Sequence, residues 1–272
     1  MMAGMGDAAA RWRDQLAQWA IPDEIMGGAD QSPWTMPTQV FARRADASVR
    51  RPIGASYRRA MQASGEDGTV LDVGCGAGAA SLPLGRPIVA VDTSPEMLAA
   101  LTERAQGLGL PVQTVLGRWP DVAPKTPAAD VVVCHHVAYN APDLDAFAAA
   151  LTDHARRRVV LELTPRHPMS PLNPLWTRLY GLARPDHPTV DDAIAVLEEI
   201  GITPTVETSP RPPRAEYASV DDLVAVTRGR LCLPPARDDE LRTALSALGV
   251  DPDHPRDLGA TPDHLITLWW DV

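Results

Sequence analysis

The chain has 272 residues, of which 45% are hydrophobic, and a formal net charge of -10. That length suits one α/β core with additions, and no stretch approaches the ~18 uninterrupted apolar residues of a membrane span. The negative balance repels polyphosphate at long range, which disfavours nucleic acid as a partner.

The opening MMAGMGDAAARWRDQ has no apolar run behind a basic start, and Asp7 and Asp14 argue against an organelle leader, so cytoplasmic residence without a membrane is expected. Residues 8–63 carry helical patterns interrupted by Pro22, Pro33, Pro37 and Pro52, and the predicted cap or lid spans residues 1–66. Its arginines, Arg43, Arg44, Arg50, Arg51, Arg58 and Arg59, lack the interleaved aromatics of a nucleic-acid surface and read as a solvated helix face.

From Thr69 the pattern changes. The short apolar runs TVLDV, PIVAVD, VQTVL, DVVVCHH and RVVLELT alternate with amphipathic stretches, which predicts a parallel sheet of βαβ units over residues 67–272. Ser94 and Pro95 supply an N-cap and a first-turn proline for EMLAALTERA, and Pro142 with Asp143 is expected to do the same for LDAFAAALTDHA. Thr189 with Asp192 opens VDDAIAVLEEIG, which Gly201 closes. TPTVETS and HLITLWWDV read as two last strands, expected to pair antiparallel at one edge. The helical insertion between them, near 215–250, is expected to help wall a pocket. Cys75, Cys134 and Cys232 are odd in number and far apart, so reduced thiols and no metal site are expected.

The stretch LDVGCGAGAA, residues 71–80, places a strand before a glycine turn, the geometry that brings ligands to the C-terminal edge of a parallel sheet. Gly74, Gly76 and Ala79 satisfy a dinucleotide fingerprint, and Asp92 follows roughly where a ribose-binding acid belongs. Asp72 discriminates. A carboxylate two residues before the first glycine would repel a pyrophosphate and attract an ammonium group.

With VAVDTSPEML after it, VLDVGCGAG resembles the first two motifs of class I S-adenosylmethionine-dependent methyltransferases, in the branch that acts on small molecules, over about residues 68–165. The resemblance implies a Rossmann-like fold, which with the strands and helices read above gives a doubly wound, mostly parallel seven-stranded sheet with an antiparallel edge strand, preceded by the helical N-terminal cap. It also implies S-adenosylmethionine as cofactor and S-adenosylhomocysteine as product. On these positions, Gly74, Gly76 and Gly78 would pass under the methionine moiety, with Cys75 contributing backbone and Asp72 near the ammonium group. Asp92 would take both ribose hydroxyls, while Thr93 and Met97 would pack against ribose and adenine. The family usually has an acid after the glycine that ends the third strand, and here Gly117, Arg118, Trp119 and Pro120 stand there instead. Adenine is then expected on the backbone of Gly117 and Arg118, with Trp119 or the Arg118 stem against the ring, unless Trp119 anchors the following loop in the core. Arg44 or Arg43 is a candidate for the cofactor's carboxylate.

The fourth strand ends in CHHVAYN. His135 and His136 are candidate bases and are expected near the cofactor, although a continuing strand would point them to opposite faces. Tyr139 is expected near the substrate. Trp34, Met36, Phe41, Met169, Trp176 and Tyr180 could line an apolar acceptor site, or pack as ordinary core. The function read from these features is methyl transfer to an unidentified small-molecule acceptor with an oxygen or nitrogen nucleophile. A non-catalytic sensor or scaffold that binds the cofactor is the alternative, and RNA or protein methylation, which would need a basic groove, is the third.

Overall fold

The computed structural model describes residues 7–27, 33, 37–211, 217–256, 258 and 263–272. Trp34 and Met36 lie outside them. Four helices come first: α1 (Asp7–Ala17), α2 (Asp23–Met26), α3 (Thr38–Arg50) and α4 (Ala55–Ser64). Strands and helices then alternate through β1 (Val70–Val73), β2 (Ile88–Asp92), α5 (Pro95–Gly107), β3 (Val112–Leu116), β4 (Ala129–His135), α6 (Leu144–Asp153) and β5 (Ala155–Leu163). After β5 come α7 (Asn173–Tyr180), α8 (Val190–Glu199), β6 (Thr205–Pro210), α9 (Val220–Arg230), α10 (Asp238–Ala247) and β7 (His264–Asp271).

The strands form one seven-stranded sheet in the order β3-β2-β1-β4-β5-β7-β6. Neighbours from β3 to β5 run parallel, and β7 runs antiparallel to both β5 and β6. The antiparallel pair occupies one edge as expected, with β7 inserted inside and β6 outermost. Side chains alternate between two faces, as the period of a strand requires. Leu71, Val73, Val132, Cys134, Val159 and Leu161 pack with α1, α6 and α8. Val70, Val131, Val133 and Val160 point the other way, onto Ala60 of α4, while Ile88 and Ala90 meet Ala45 of α3 and Leu101 of α5. The same alternation places Asp72, His135 and Glu162 on the α4 side of three adjacent strands, β1, β4 and β5. Of the two tryptophans on β7, Trp270 is buried at 6% exposure, and Trp269 lies beneath the Arg158 guanidinium, 4.1 Å from the ring centre.

Local signals explain the helix ends. The Ser94 hydroxyl accepts from Met97 N, with Pro95 in the first turn, and Thr189 with Asp192 forms a reciprocal capping box. At α6 the expectation fails in detail: Asp143 occupies the cap position, but its carboxylate accepts from Arg13 of α1 at 2.9 Å and caps nothing. The charge of a guanidinium outcompetes a backbone amide for that carboxylate.

The insertion between β6 and β7 also departs from expectation. Leu231, Leu233, Leu241 and Leu245 pack with Leu175 and Trp176 of α7 in a second core, and no described residue of 217–256 lines the main cleft. Its influence is indirect, because Leu223 and Val226 of α9 pack on Val40, and other residues of the same helix α3, Phe41 and Arg44, line the cleft. Among the described residues no helix is long and apolar enough to cross a membrane.

Candidate functional site

A cleft of about 1090 Å³ opens at the C-terminal ends of β1, β2, β4 and β5. Parallel strands end there with helix N-termini facing the same way, so unpaired amides gather at that edge. The floor is the turn after β1. Gly74 N and Cys75 N both donate to Val91 O, at 2.8 and 3.1 Å, which fastens the turn to β2. Gly74 has φ +70°, and a Cβ there would fall 2.3 Å from Val137 Cγ2. The turn and the segment after β4 are therefore in contact only because position 74 has no side chain. Gly76, with φ +50°, lies under the Phe41 ring of α3.

Gly78 differs from its neighbours. It is not among the lining residues, and a Cβ there would meet Leu82 at 2.6 Å, so it serves the packing behind the turn.

Asp92, at the tip of β2, is held by two amides: Gly76 N donates to Oδ2 at 2.8 Å and Ser94 N to Oδ1 at 2.9 Å. Asp92 lines the cleft, and each oxygen has capacity to accept one more hydrogen bond, as from the two hydroxyls of a vicinal diol. Asp72 is 1% exposed, and neither carboxylate oxygen makes a hydrogen bond of good geometry, although Ser81 lies close enough to act on its charge. Burial pushes its carboxyl up to about 7; Ser81 opposes the shift and the charge of Asp92 adds to it. A buried acid left unpaired at a ligand edge is an orphan that a cationic ligand group would satisfy.

Thr93 and Met97 line the cleft beside Asp92, as do Gly117 and Arg118 after β3. Trp119 borders it too, but its indole is 6% exposed, donates to Phe147 O at 3.3 Å and meets His154 edge-on, which makes it an anchor of the loop in the core. Arg44 lines the cleft from α3, with its guanidinium 5.8 Å from the Phe41 ring centre, whereas Arg43 is not among the lining residues.

Both histidines reach one site, because the strand ends between them. His135 is the last residue of β4, paired in register with Glu162 of β5, and His136 adopts φ +60°. His135 Nδ1 is 3.7 Å and His136 Nε2 3.4 Å from Glu162 Oε1, while the Ser56 hydroxyl of α4 donates to Oε2 at 2.5 Å. Burial would raise the Glu162 carboxyl, but the two imidazoles and Ser56 outweigh it and hold it well below the usual carboxylate range. Burial lowers His135. Sequence reasoning misses Glu162 and Ser56; the signal for Glu162 is a lone carboxylate among the valines and leucines of RVVLELT, and Ser56 carries none.

Several expected site residues belong to the core. Tyr139 is 3% exposed, donates its hydroxyl to Thr164 O at 2.9 Å and stacks on Trp12, so it does not face a substrate. Its short 3-10 turn carries the ring inward while Asn140 stays on the lining. Met169, Trp176 and Tyr180 pack in or against the second core, and of the described apolar candidates only Phe41 borders the cleft. Cys75, Cys134 and Cys232 are free thiols, and burial raises all three. Among the described residues no cluster of three or more His, Cys, Asp or Glu is arranged to hold a metal ion.

Residues 70–158 match a family model described as a methyltransferase domain. An uncharacterized protein of Haemophilus influenzae is 37% identical over 106 residues, covering 37% of this chain; the chain thus spans about two fifths, 39%, of that relative's length. Among solved structures, a cyclopropane-fatty-acyl-phospholipid synthase-like protein from Lactobacillus casei superposes with a TM-score of 0.52 at 16% identity, covering 92% of this chain and 98% of its own. A candidate sarcosine dimethylglycine methyltransferase from Galdieria sulphuraria gives 0.50 at 15% identity, covering 91% and 95%. At such identities these two speak for the fold alone. The segment that is similar to a methyltransferase domain holds the glycine turn, Asp72 and Asp92, and the two structures share the fold built around it.

Proposed function

We propose that the protein transfers a methyl group from S-adenosylmethionine to a small-molecule acceptor. One observation carries the proposal: a buried, unpartnered carboxylate, Asp72, sits between a side-chain-free turn and an amide-held acid, Asp92, on adjacent strand tips. The spacing suits an amino acid joined to a nucleoside. Asp92 would take the ribose hydroxyls, Gly117 and Arg118 the adenine edge, the turn the chain under the sulfur, and Asp72 the ammonium group. Arg44, which lines the cleft from α3, would meet the carboxylate.

Strand order supports a place for the acceptor. With ribose at β2 and the amino acid over β1, the next tips along the sheet are β4 and β5, where His135, His136 and Glu162 lie. When bound, the cofactor supplies an activated methyl on a sulfonium, so alignment and exclusion of water provide much of the acceleration, up to ~7–11 kcal/mol in well-oriented systems. Residues 1–66 are proposed as the lid that supplies this exclusion. Phe41 and Arg44 of α3 and Ser56 of α4 line the cleft from above, and Arg59 Nε donates to Glu207 of β6 at 2.8 Å, which holds α4 to the sheet edge.

The experiment is titration calorimetry with S-adenosylhomocysteine and NAD, followed by transfer of a labelled methyl group across an acceptor panel. Micromolar or tighter binding of the first, none of NAD, and a methylated small product are expected. Uptake of NAD alone would overturn the assignment, and binding without transfer would favour a sensor.

A further inference from the structure

The end of the cleft at β4 and β5 is built around a largely buried carboxylate. Glu162 is 8% exposed, and both of its oxygens are engaged: Oε2 by Ser56 at 2.5 Å, and Oε1 by His136 Nε2 at 3.4 Å and, more distantly, His135 Nδ1. The backbone reinforces the arrangement, since His136 N donates to Glu162 O at 2.7 Å and the residue is held at φ +60°, a conformation uncommon for a residue with a side chain.

We propose that Glu162 is a positioning residue that holds His136 with Nε2–H toward its carboxylate, leaving the Nδ1 lone pair to take the proton of a hydroxyl acceptor as that oxygen is methylated. This inference rests on the methyl-transfer reading above. The balance is complete without another reactant. The acceptor's O–H bond breaks and its proton goes to Nδ1; an O–CH3 bond forms; the S–CH3 bond breaks with its electron pair left on sulfur. One positive charge leaves sulfur and one appears on the His136 ring, next to an anion already in place, so the charge produced by the reaction is met by a preorganised partner. His135 completes the site. Its Nε2 is buried without a partner, and a hydroxyl oxygen between the two rings would satisfy it.

The chemistry selects an acceptor class. A carboxylate nucleophile has no proton to lose and would meet the Glu162 anion with like charge, so methyl ethers rather than methyl esters are the expected products.

Two measurements test this. In ¹⁵N–¹H spectra of histidine-labelled protein saturated with S-adenosylhomocysteine, neutral His136 should be the Nε2-protonated tautomer, and Glu162→Gln should abolish that preference; an Nδ1-protonated ring in the unaltered protein overturns the proposal, whether or not an acceptor is known. In a panel of phenols, alcohols and carboxylic acids, hydroxyl compounds should be methylated, and Glu162→Gln should lower kcat by ~10²-fold with KM and S-adenosylhomocysteine affinity nearly unchanged. Methyl esters as the sole products, or an unchanged kcat, overturn it. Should Glu162→Gln fail to fold, Ser56→Ala carries the same kcat-against-KM readout with a smaller loss. Failure of the unaltered protein to bind S-adenosylhomocysteine would instead strike the methyl-transfer reading beneath the inference.

Discussion

Asp72 carries a cost in the empty protein that a ligand can relieve. Its carboxyl titrates near 7 when folded and near 3.8 when unfolded, so between those values the folded state holds the extra proton and stability falls as pH rises. His167 works in the opposite sense: burial, with Arg184 adding to it, lowers it from 6.5 to about 3, so its contribution is present above 6.5 and is lost as pH falls toward 3. The two partly cancel in the intact chain, and a difference measurement separates them. Asp72→Asn should raise the melting temperature of the ligand-free protein above pH 7 and leave it little changed near pH 4, while weakening S-adenosylhomocysteine by ~10-fold or more through loss of a charged hydrogen bond. In the unaltered protein an ammonium group lowers the carboxyl's pKa, so binding at pH 6 should release a proton. Calorimetry in buffers of different ionisation enthalpy reads that release; proton uptake would contradict the placement of Asp72. Gly74→Ala makes a steric test of the same turn. Its φ of +70° costs any other residue about 1–2 kcal/mol, and Val137 must also move, so both cofactor affinity and melting temperature should fall.

Among the elements, α1 does more for the cleft than its distance from the glycine turn suggests. Trp12 is fully buried, stacks on Tyr139, and donates its Nε1–H to Ala141 O at 2.8 Å, so the helix pins the segment after β4 that carries His136 and Asn140. The helix is itself capped from afar, since Ala8 N and Ala9 N both donate to Glu199 at the end of α8. Trp12→Phe keeps most of the ring but strands a buried carbonyl, which should cost about 1–3 kcal/mol, against about 3–5 for Trp12→Ala. Thermal melts give both values. A Trp12→Phe variant that melts with the unaltered protein would show that the hydrogen bond contributes nothing. Here the limit of the sequence is visible. Alternation and caps made the sheet order-of-events, α5 and α8 legible, because those signals are local. The partner of Trp12 lies 129 residues away, and the choice of Asp143 to pair with Arg13 rather than cap α6 depends on where α1 docks. The same holds for the insertion near 215–250, whose leucines could have faced the cleft until α7 supplied another surface to bury them. The two motif acids were readable, whereas Glu162 became a site residue only through its register beside His135 and the arrival of Ser56 on α4.

For the molecule as a whole, charge separates donor from product. The chain carries a net -10, and the cleft repeats the imbalance locally: Asp72, Asp92, Glu96, Asp121, Asp143 and Glu162 line it, against Arg44, Arg118 and Arg211. S-adenosylmethionine and S-adenosylhomocysteine share the amino acid and the nucleoside and differ by a methyl group and one positive charge. A field of this sign favours the charged donor and gives the neutralised product less reason to stay, so the long-range term assists entry and turnover in the same direction. That term acts over a Debye length of ~10 Å at 0.1 M salt, which shrinks to about 3 Å at 1 M, whereas contacts with Asp92 and the turn are short and scarcely screened. Raising the salt from about 20 to 300 mM should therefore weaken S-adenosylmethionine by roughly 2- to 5-fold while S-adenosylhomocysteine changes little, and the ratio of the two dissociation constants is the quantity to follow. If both weaken in parallel, the effect belongs to the groups they share, and the acid-rich cleft does not discriminate the sulfonium.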